Sequence, residues 1–192
     1  MTAASPGAPV RQRIFDHERI WRLDAETFAA GAHLLADHER PHQPDAVVAI
    51  ARGGIPLGRA LARSLNVPLA TITLRHNHDD APLVQATGHV DVVDAAALAD
   101  IGPGRRILVA DDICGTGATF VTVAALLRTR LAPMSVRTVV LCRNAASLDS
   151  DDAPDSGGYL WDTRDWVIFP WNEPPDQPTT PLTLPDHVRA WR

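Results

Sequence analysis

The chain has 192 residues, 45% of them hydrophobic, which suits one domain with a full-sized core. Its net charge is -5 and no basic run stands out, so extended nucleic-acid binding has no electrostatic support and a small ligand is expected. No apolar run approaches the roughly 18 residues of a membrane span, and the neutral first nine residues carry no targeting pattern, so the expectation is a cytoplasmic protein with no membrane partner.

In chain order, residues 1–12 read as a disordered tail, and residues 13–23 lie against the domain through Ile14, Ile20, Trp21 and Leu23. Asp24 caps a helix whose Phe28, Ala29, Leu34 and Leu35 share a face, and which closes before Pro41 and Pro44. His33, His38 and His42 fall on or after it and read as solvated helix-end residues. Residues 46–51 form a continuous apolar strand, followed by Arg52-Gly53-Gly54 and a helix to about Leu65. Residues 67–74 are the next strand. Residues 75–89 are polar, hold His76 and His78, and show no sustained period, which predicts a flexible lid.

Residues 90–93 and 95–99 suggest a short strand and a helical turn, and Gly102-Pro103-Gly104 breaks the chain before the central strand. After the central helix comes an apolar strand at 134–142, ending at Arg143 and Asn144. Residues 145–158 form an acidic loop, and 159–161 and 165–169 are strand-like pieces. The proline-rich residues 173–185 are expected to form neither regular sheet nor helix, and the tail 173–192 to wrap the domain. Cys114 and Cys142 each follow an apolar run, show no metal-ligand spacing and read as buried thiols. Strands alternating with helices imply an α/β fold with a Rossmann-like parallel sheet and binding loops at the strands' carboxyl ends.

The chemistry concentrates in residues 107–120, I-L-V-A-D-D-I-C-G-T-G-A-T-F. An apolar run, two carboxylates, small and hydroxylated residues and then helical spacing read as strand, tight loop and helix start. Gly115 and Gly117 let the backbone approach a ligand, and the amides of residues 116–119 would face a phosphate on the positive end of the helix, with Thr116 and Thr119 adding hydroxyls. Asp111 and Asp112 would repel a phosphate but suit neighbouring ribose hydroxyls. The combined target is a ribose 5-phosphate. Arg52 beside Gly53 and Gly54 at a second helix start suits a pyrophosphate. There is no Gly-Lys-Ser/Thr ending and no third glycine, so neither a nucleoside triphosphatase loop nor a dinucleotide fingerprint fits.

This motif resembles the ribose-phosphate motif of type I phosphoribosyltransferases, and Arg52-Gly53-Gly54 is similar to their pyrophosphate loop. The pattern Asp165-Trp166-Val167-Ile168-Phe169-Pro170-Trp171 resembles the base-binding end of xanthine-guanine phosphoribosyltransferases. The resemblance implies a phosphoribosyltransferase domain over residues 13–172 with a small C-terminal hood. It implies transfer of ribose 5-phosphate from phosphoribosyl pyrophosphate (PRPP) to a purine-like base, with pyrophosphate released.

On the same resemblance Asp111 and Asp112 are catalytic, and Gly115, Thr116, Gly117, Ala118 and Thr119 bind the 5-phosphate. Arg52, Gly53 and Gly54 bind pyrophosphate, and Arg143, Trp166 and Trp171 bind the base. Mg2+ is the implied cofactor, oriented by Asp112, and a homodimer the implied assembly. Gly115 stands where 6-oxopurine enzymes carry an aspartate that handles the N7 proton, and Arg143 where they carry a lysine that reads the 6-oxo group. The alternatives are a PRPP or nucleotide sensor without turnover on the same fold, and an enzyme with an unusual heterocyclic acceptor.

Overall fold

Apolar runs too continuous for a half-exposed strand become the buried centre of a seven-stranded sheet. The computed structural model describes residues 15–16, 18–75, 90–147 and 152–191; the expected tail at 1–12 and nearly all of the expected lid at 75–89 lie outside them. The elements in order are β1 (Ile20–Arg22), α1 (Ala25–Glu39), β2 (Ala46–Ala51), α2 (Gly54–Leu65), β3 (Leu69–Arg75), β4 (Asp91–Asp94), β5 (Arg106–Cys114), α3 (Ala118–Leu131), β6 (Ser135–Asn144), β7 (Gly157–Thr163), β8 (Trp166–Ile168), β9 (Thr180–Pro181) and β10 (Arg189–Ala190). The main sheet runs β10-β7-β6-β5-β2-β3-β4. Its five inner strands pair in parallel, whereas β4 and β10 pair antiparallel at the two edges. A second, three-stranded sheet runs β8-β1-β9.

Two apolar layers cover the main sheet. On one face Leu57, Leu61 and Ala62 of α2 and Ala32, Leu35 and Ala36 of α1 pack on Val47, Leu108, Val139 and Leu141. On the other, Phe120, Val123 and Leu127 of α3 pack on Val48, Ile107, Val109 and Val140. Helix α1 begins as the sequence predicts, with the Asp24 carboxylate accepting the Thr27 N–H at 2.7 Å. Its buried face differs from the expectation: Ala29 is exposed, while Gly31, Ala32, Leu35, Ala36 and Glu39 are buried. Gly31 is needed because a Cβ there would meet Leu160 Cδ1 at 2.7 Å. The fully buried Glu39 is matched by Arg137, whose Nε and Nη2 donate to its two oxygens at 2.5 and 3.1 Å.

The C-terminal residues also depart from expectation. Prolines exclude long strands at 173–185, but β9 needs only two residues and joins the open edge beside β1, and beyond them β10 joins β7. Trp191 is buried, and its indole N–H donates to the Thr138 carbonyl at 2.8 Å.

Alternation along β5 breaks where the site opens. Ile107 and Val109 face α3 while Leu108 and Ala110 face α1 and α2; strict period two would send Ile113 to the α3 side, yet it packs with the α1–α2 layer and Cys114 faces α3. The strand partners skip in step: Asp111 pairs Val140 and Ile113 pairs Cys142, while Val140 pairs Tyr159 and Cys142 pairs Trp161. In all three strands two consecutive residues face the same layer, Leu141 with Cys142 and Leu160 with Trp161 being the other cases. This shared slip is a bulge-like irregularity, and it turns the last residues of β5, β6 and β7 to the opposite face from the one simple alternation assigns.

At the amino ends of β2 and β5 the Asp45 carboxylate takes the Arg106 guanidinium at 2.9 and 3.0 Å and the Arg106 backbone N–H at 2.8 Å. Those donors hold the Asp45 carboxyl down at about 2, against an ordinary 3.8. A depressed folded-state value adds stability that is complete above the unfolded value and is lost as pH falls through the folded one. The melting-temperature advantage of wild type over Asp45→Asn is therefore expected to hold at about pH 5 and to shrink steadily toward pH ~2; a constant difference across that range would contradict the assignment.

Candidate active site

Strands β2 and β5 lie side by side, but the chain leaves β2 toward β3 and leaves β5 toward β6. Their carboxyl ends therefore diverge into loops on opposite sides, and a crevice must open between them. A cavity of about 190 Å³ fills that crevice. It is lined by Ile50, Ala51 and Gly53 after β2, by Asp111, Asp112, Ile113, Gly115, Thr116 and Thr119 along β5 and into α3, and by Leu74 of β3.

Of the residues singled out in the sequence, this cavity brings together Gly53, Asp111, Asp112, Gly115, Thr116 and Thr119. Gly54 sits behind its wall as the first residue of α2, where a Cβ would meet the Ala110 carbonyl at 2.5 Å and Asp111 Cα at 2.8 Å. Gly53 is closer still to the opposite loop, since an added Cβ would overlap the Asp112 carboxylate. Arg52 is exposed between Ala51 and Gly53, and the Ala51–Arg52 peptide bond is cis. Gly117 precedes α3 with φ +89°, a conformation natural to glycine, and its backbone is backed by Asp152. Ala118 opens α3, and its N–H reaches Thr116 Oγ1 at 3.4 Å.

The helices matter as much as the side chains. Both α2 and α3 start at this edge of the sheet, so two positive helix ends flank one crevice, and neither Gly53 nor Gly117 caps its helix with a side chain. Between them stand two carboxylates. Asp111 Oδ1 accepts the Asp112 N–H at 2.9 Å, which curls the first carboxylate along the strand, while Asp112 lies against Gly53. Asp111 also borders the α2 loop, since a Cβ on Gly54 would lie 3.0 Å from its Oδ1, so both acids stand against the same glycine pair. The arrangement suits a ligand with anionic groups at both ends and hydroxyls between.

Three expected base-binding residues lie outside the cavity lining. Arg143 Nε donates to Asp162 Oδ1 at 2.6 Å, and the guanidinium lies 4.6 Å over the Tyr159 ring. Trp166 is half-buried, edge-on to Phe15 with ring centroids 4.9 Å apart. Trp171 stacks on Phe169 at 5.1 Å and meets Phe28 edge-on at 5.3 Å. Strand β8 of the second sheet begins at Trp166, three residues beyond the last residue of β7, so this aromatic layer starts from the same carboxyl edge.

Sequence reasoning missed Leu74, which lines the cavity only because β3 neighbours β2. It also missed the ion pair of Arg143 with Asp162, although Tyr159-Leu160-Trp161-Asp162 repeats in miniature the apolar run ending in a carboxylate that singled out Asp111.

Residues 23–178 match the phosphoribosyl transferase domain family. An adenine phosphoribosyltransferase of Sphingopyxis alaskensis is 29% identical over 141 residues, 70% of this chain and 69% of its own length. A xanthine-guanine phosphoribosyltransferase of Ruegeria sp. is 29% identical over 162 residues, 81% of this chain and 87% of its own. Among solved structures, a purine phosphoribosyltransferase from Pyrococcus horikoshii superposes with a TM-score of 0.64 at 20% identity, covering 84% of this chain and 99% of that one. The chain belongs to the phosphoribosyltransferase family. It is a PRPP-dependent pentosyltransferase with the fold of that family.

The contact between Gly53 and Asp112 supplies a direct check. Gly53→Ala should force the Asp112 carboxylate aside and lower kcat/KM for PRPP by about tenfold or more, about 1.4 kcal/mol of transition-state stabilisation, with a melting temperature near wild type because Gly53 is a half-exposed loop residue. Unchanged kcat/KM would show that the two walls do not act together.

Proposed function

We propose that the crevice between β2 and β5 binds PRPP and that the acceptor is a purine. The observation that carries this is the convergence of two helix amino ends on a cavity with Asp111 and Asp112 between them. The α3 end, with Gly115, Thr116, Gly117, Ala118 and Thr119, takes the 5-phosphate. The α2 end, with Arg52, Gly53 and Gly54, takes the pyrophosphate. Asp111 and Asp112 accept from the ribose hydroxyls and hold the sugar between the two anionic ends. The purine acceptor is supported by relatives named as adenine and xanthine-guanine phosphoribosyltransferases.

In this geometry the protein's work is placement. A base nitrogen approaches C1 of the ribose as the bond to the pyrophosphate oxygen breaks, so the leaving electron pair ends on pyrophosphate and the anomeric centre inverts. Donors at the α2 terminus meet charge that grows on the departing group, and carboxylates beside the sugar favour its developing positive charge. Open water would compete for that centre, so an apolar wall of Ile50, Leu74 and Ile113 beside the cavity is useful.

Hard carboxylate oxygens facing a polyanion site fit Mg2+, which takes one or two protein carboxylates and completes its shell from substrate and water. Among the described residues no group of three or more His, Cys, Asp or Glu forms a metal cage; Asp112, aided by Asp111, would orient an ion arriving with PRPP. When bound, it would offset the charge of the pyrophosphate. A homodimer in the cytoplasm completes the proposal. Among the described residues, no helix is long and apolar enough to cross a membrane.

The test is pyrophosphate release from PRPP and magnesium with hypoxanthine, guanine, xanthine, adenine, orotate and uracil supplied one at a time. Release is expected with a purine and not with orotate or uracil, and the Asp111→Asn, Asp112→Asn double variant is expected to lose turnover. Release without any base, or wild-type rates in the double variant, would overturn the proposal.

A further inference from the structure

Away from the crevice, a second cavity of about 210 Å³ lies between α3, β6 and residues 152–155. Helix α3 lines it with Val121, Ala124 and Arg128, which share one face at helical spacing, and β6 lines it with Val136 and Thr138. The hollow stays open because its far wall is pinned at both ends and small in between. At one end the Ser156 hydroxyl donates to the Val136 carbonyl at 3.1 Å, and the Ser156 carbonyl accepts the Thr138 N–H at 2.9 Å. At the other end Asp152 lies against Gly117, where an added Cβ would overlap the Asp152 carbonyl oxygen. Between the pins stand Ala153 and Pro154, and Ala124 lines the same cavity from the helix, side chains too short to close the gap.

The lining carries three kinds of surface. Val121, 51% exposed, and Ala124 and Val136 are apolar. Arg128 and Asp155 are both exposed, and among the described residues neither side chain forms a hydrogen bond or an ion pair, with the other or elsewhere. A lone anion here would meet Asp155, a lone cation would meet Arg128, and a wholly apolar molecule would leave both charges unmatched. A zwitterion with an apolar body satisfies all three surfaces. The volume of 210 Å³ falls below the roughly 300–1,000 Å³ of sites for drug-sized ligands, which excludes a nucleotide.

We propose that this cavity binds an aliphatic α-amino acid and that its occupancy tightens PRPP binding. The carboxylate is taken by the Arg128 guanidinium, the ammonium by the Asp155 carboxylate, and the side chain by Val121, Ala124 and Val136. The effect on PRPP rests on the crevice reading above. An occupant that bridges α3 to residues 152–155 holds Asp152 against Gly117, which belongs to the loop given to the 5-phosphate. A loop already held in place loses less freedom when the phosphate arrives. The coupling is reciprocal, so PRPP tightens the amino acid by the same factor.

The test titrates L-valine, L-leucine and L-methionine into the full chain by calorimetry, beside leucinamide, which lacks the carboxylate, and 4-methylpentanoate, which lacks the ammonium. Wild type is expected to bind at least one of the three amino acids and neither analogue. Arg128→Gln and Asp155→Asn, at exposed side chains, should each weaken that binding about tenfold, and Ala124→Leu, which fills the cavity, should abolish it. PRPP affinity without amino acid should be unchanged in all three variants. With saturating amino acid the dissociation constant of PRPP should fall about fivefold in wild type and stay constant in Ala124→Leu. Analogues that bind as well as L-leucine, binding indifferent to all three substitutions, or PRPP affinity unmoved by a bound amino acid would overturn the inference. If PRPP binds and none of the three amino acids does, only this inference fails. If an amino acid binds through Arg128 and Asp155 while PRPP does not bind at all, the cavity site stands and the crevice reading fails.

Discussion

Everything at the site depends on the parallel pairing of β2 with β5. Because the chain departs from these neighbours in opposite directions, their following helices begin on either side of one crevice. Two positive helix ends set beside each other favour an anion between them. The close approach is made by glycine. Gly53 and Gly54 let the α2 loop rest against Asp112 and the Ala110–Asp111 backbone, and Gly117 lets α3 start against Asp152. A side chain at any of these positions would separate the walls, so the loops are matched in shape before any ligand arrives.

Much of this was legible in the sequence because each feature is local. The run at residues 46–51 became β2 with those bounds, and the two Gly-containing turns fell at helix starts, since buried parallel strands and helix N-termini carry strong short-range signals. What escaped depends on distant neighbours. The apolar run stops at Cys142, yet β6 continues through Arg143 and Asn144 because β5 and β7 pair with it beyond that run. The buried Glu39 looks like a surface helix residue until Arg137, almost a hundred positions away, is brought beside it. β9 and β10 are too short to show any period and exist only because an edge was open to them.

The slip at Asp112, Leu141 and Leu160 is the clearest case of a non-local cause. No single strand betrays it, since apolar residues stand on both sides of the break. Three neighbours must slip together for the ladder to survive, and the result decides which face Arg143 and Asp162 occupy. The placement of Arg143 and Asp162 thus depends on sheet register, whereas the cavity residues of β5 and α3 stand in one contiguous motif. That difference explains why the second group is the easier to read from the sequence.

The most direct measurement is a crystal structure with PRPP and magnesium bound. The account requires the 5-phosphate on the N–H groups of residues 116–119, the ribose hydroxyls on Asp111 and Asp112, and the pyrophosphate against Gly53 and Gly54 at the start of α2. PRPP lodged elsewhere, or bound in the reverse direction with pyrophosphate on α3, would contradict it.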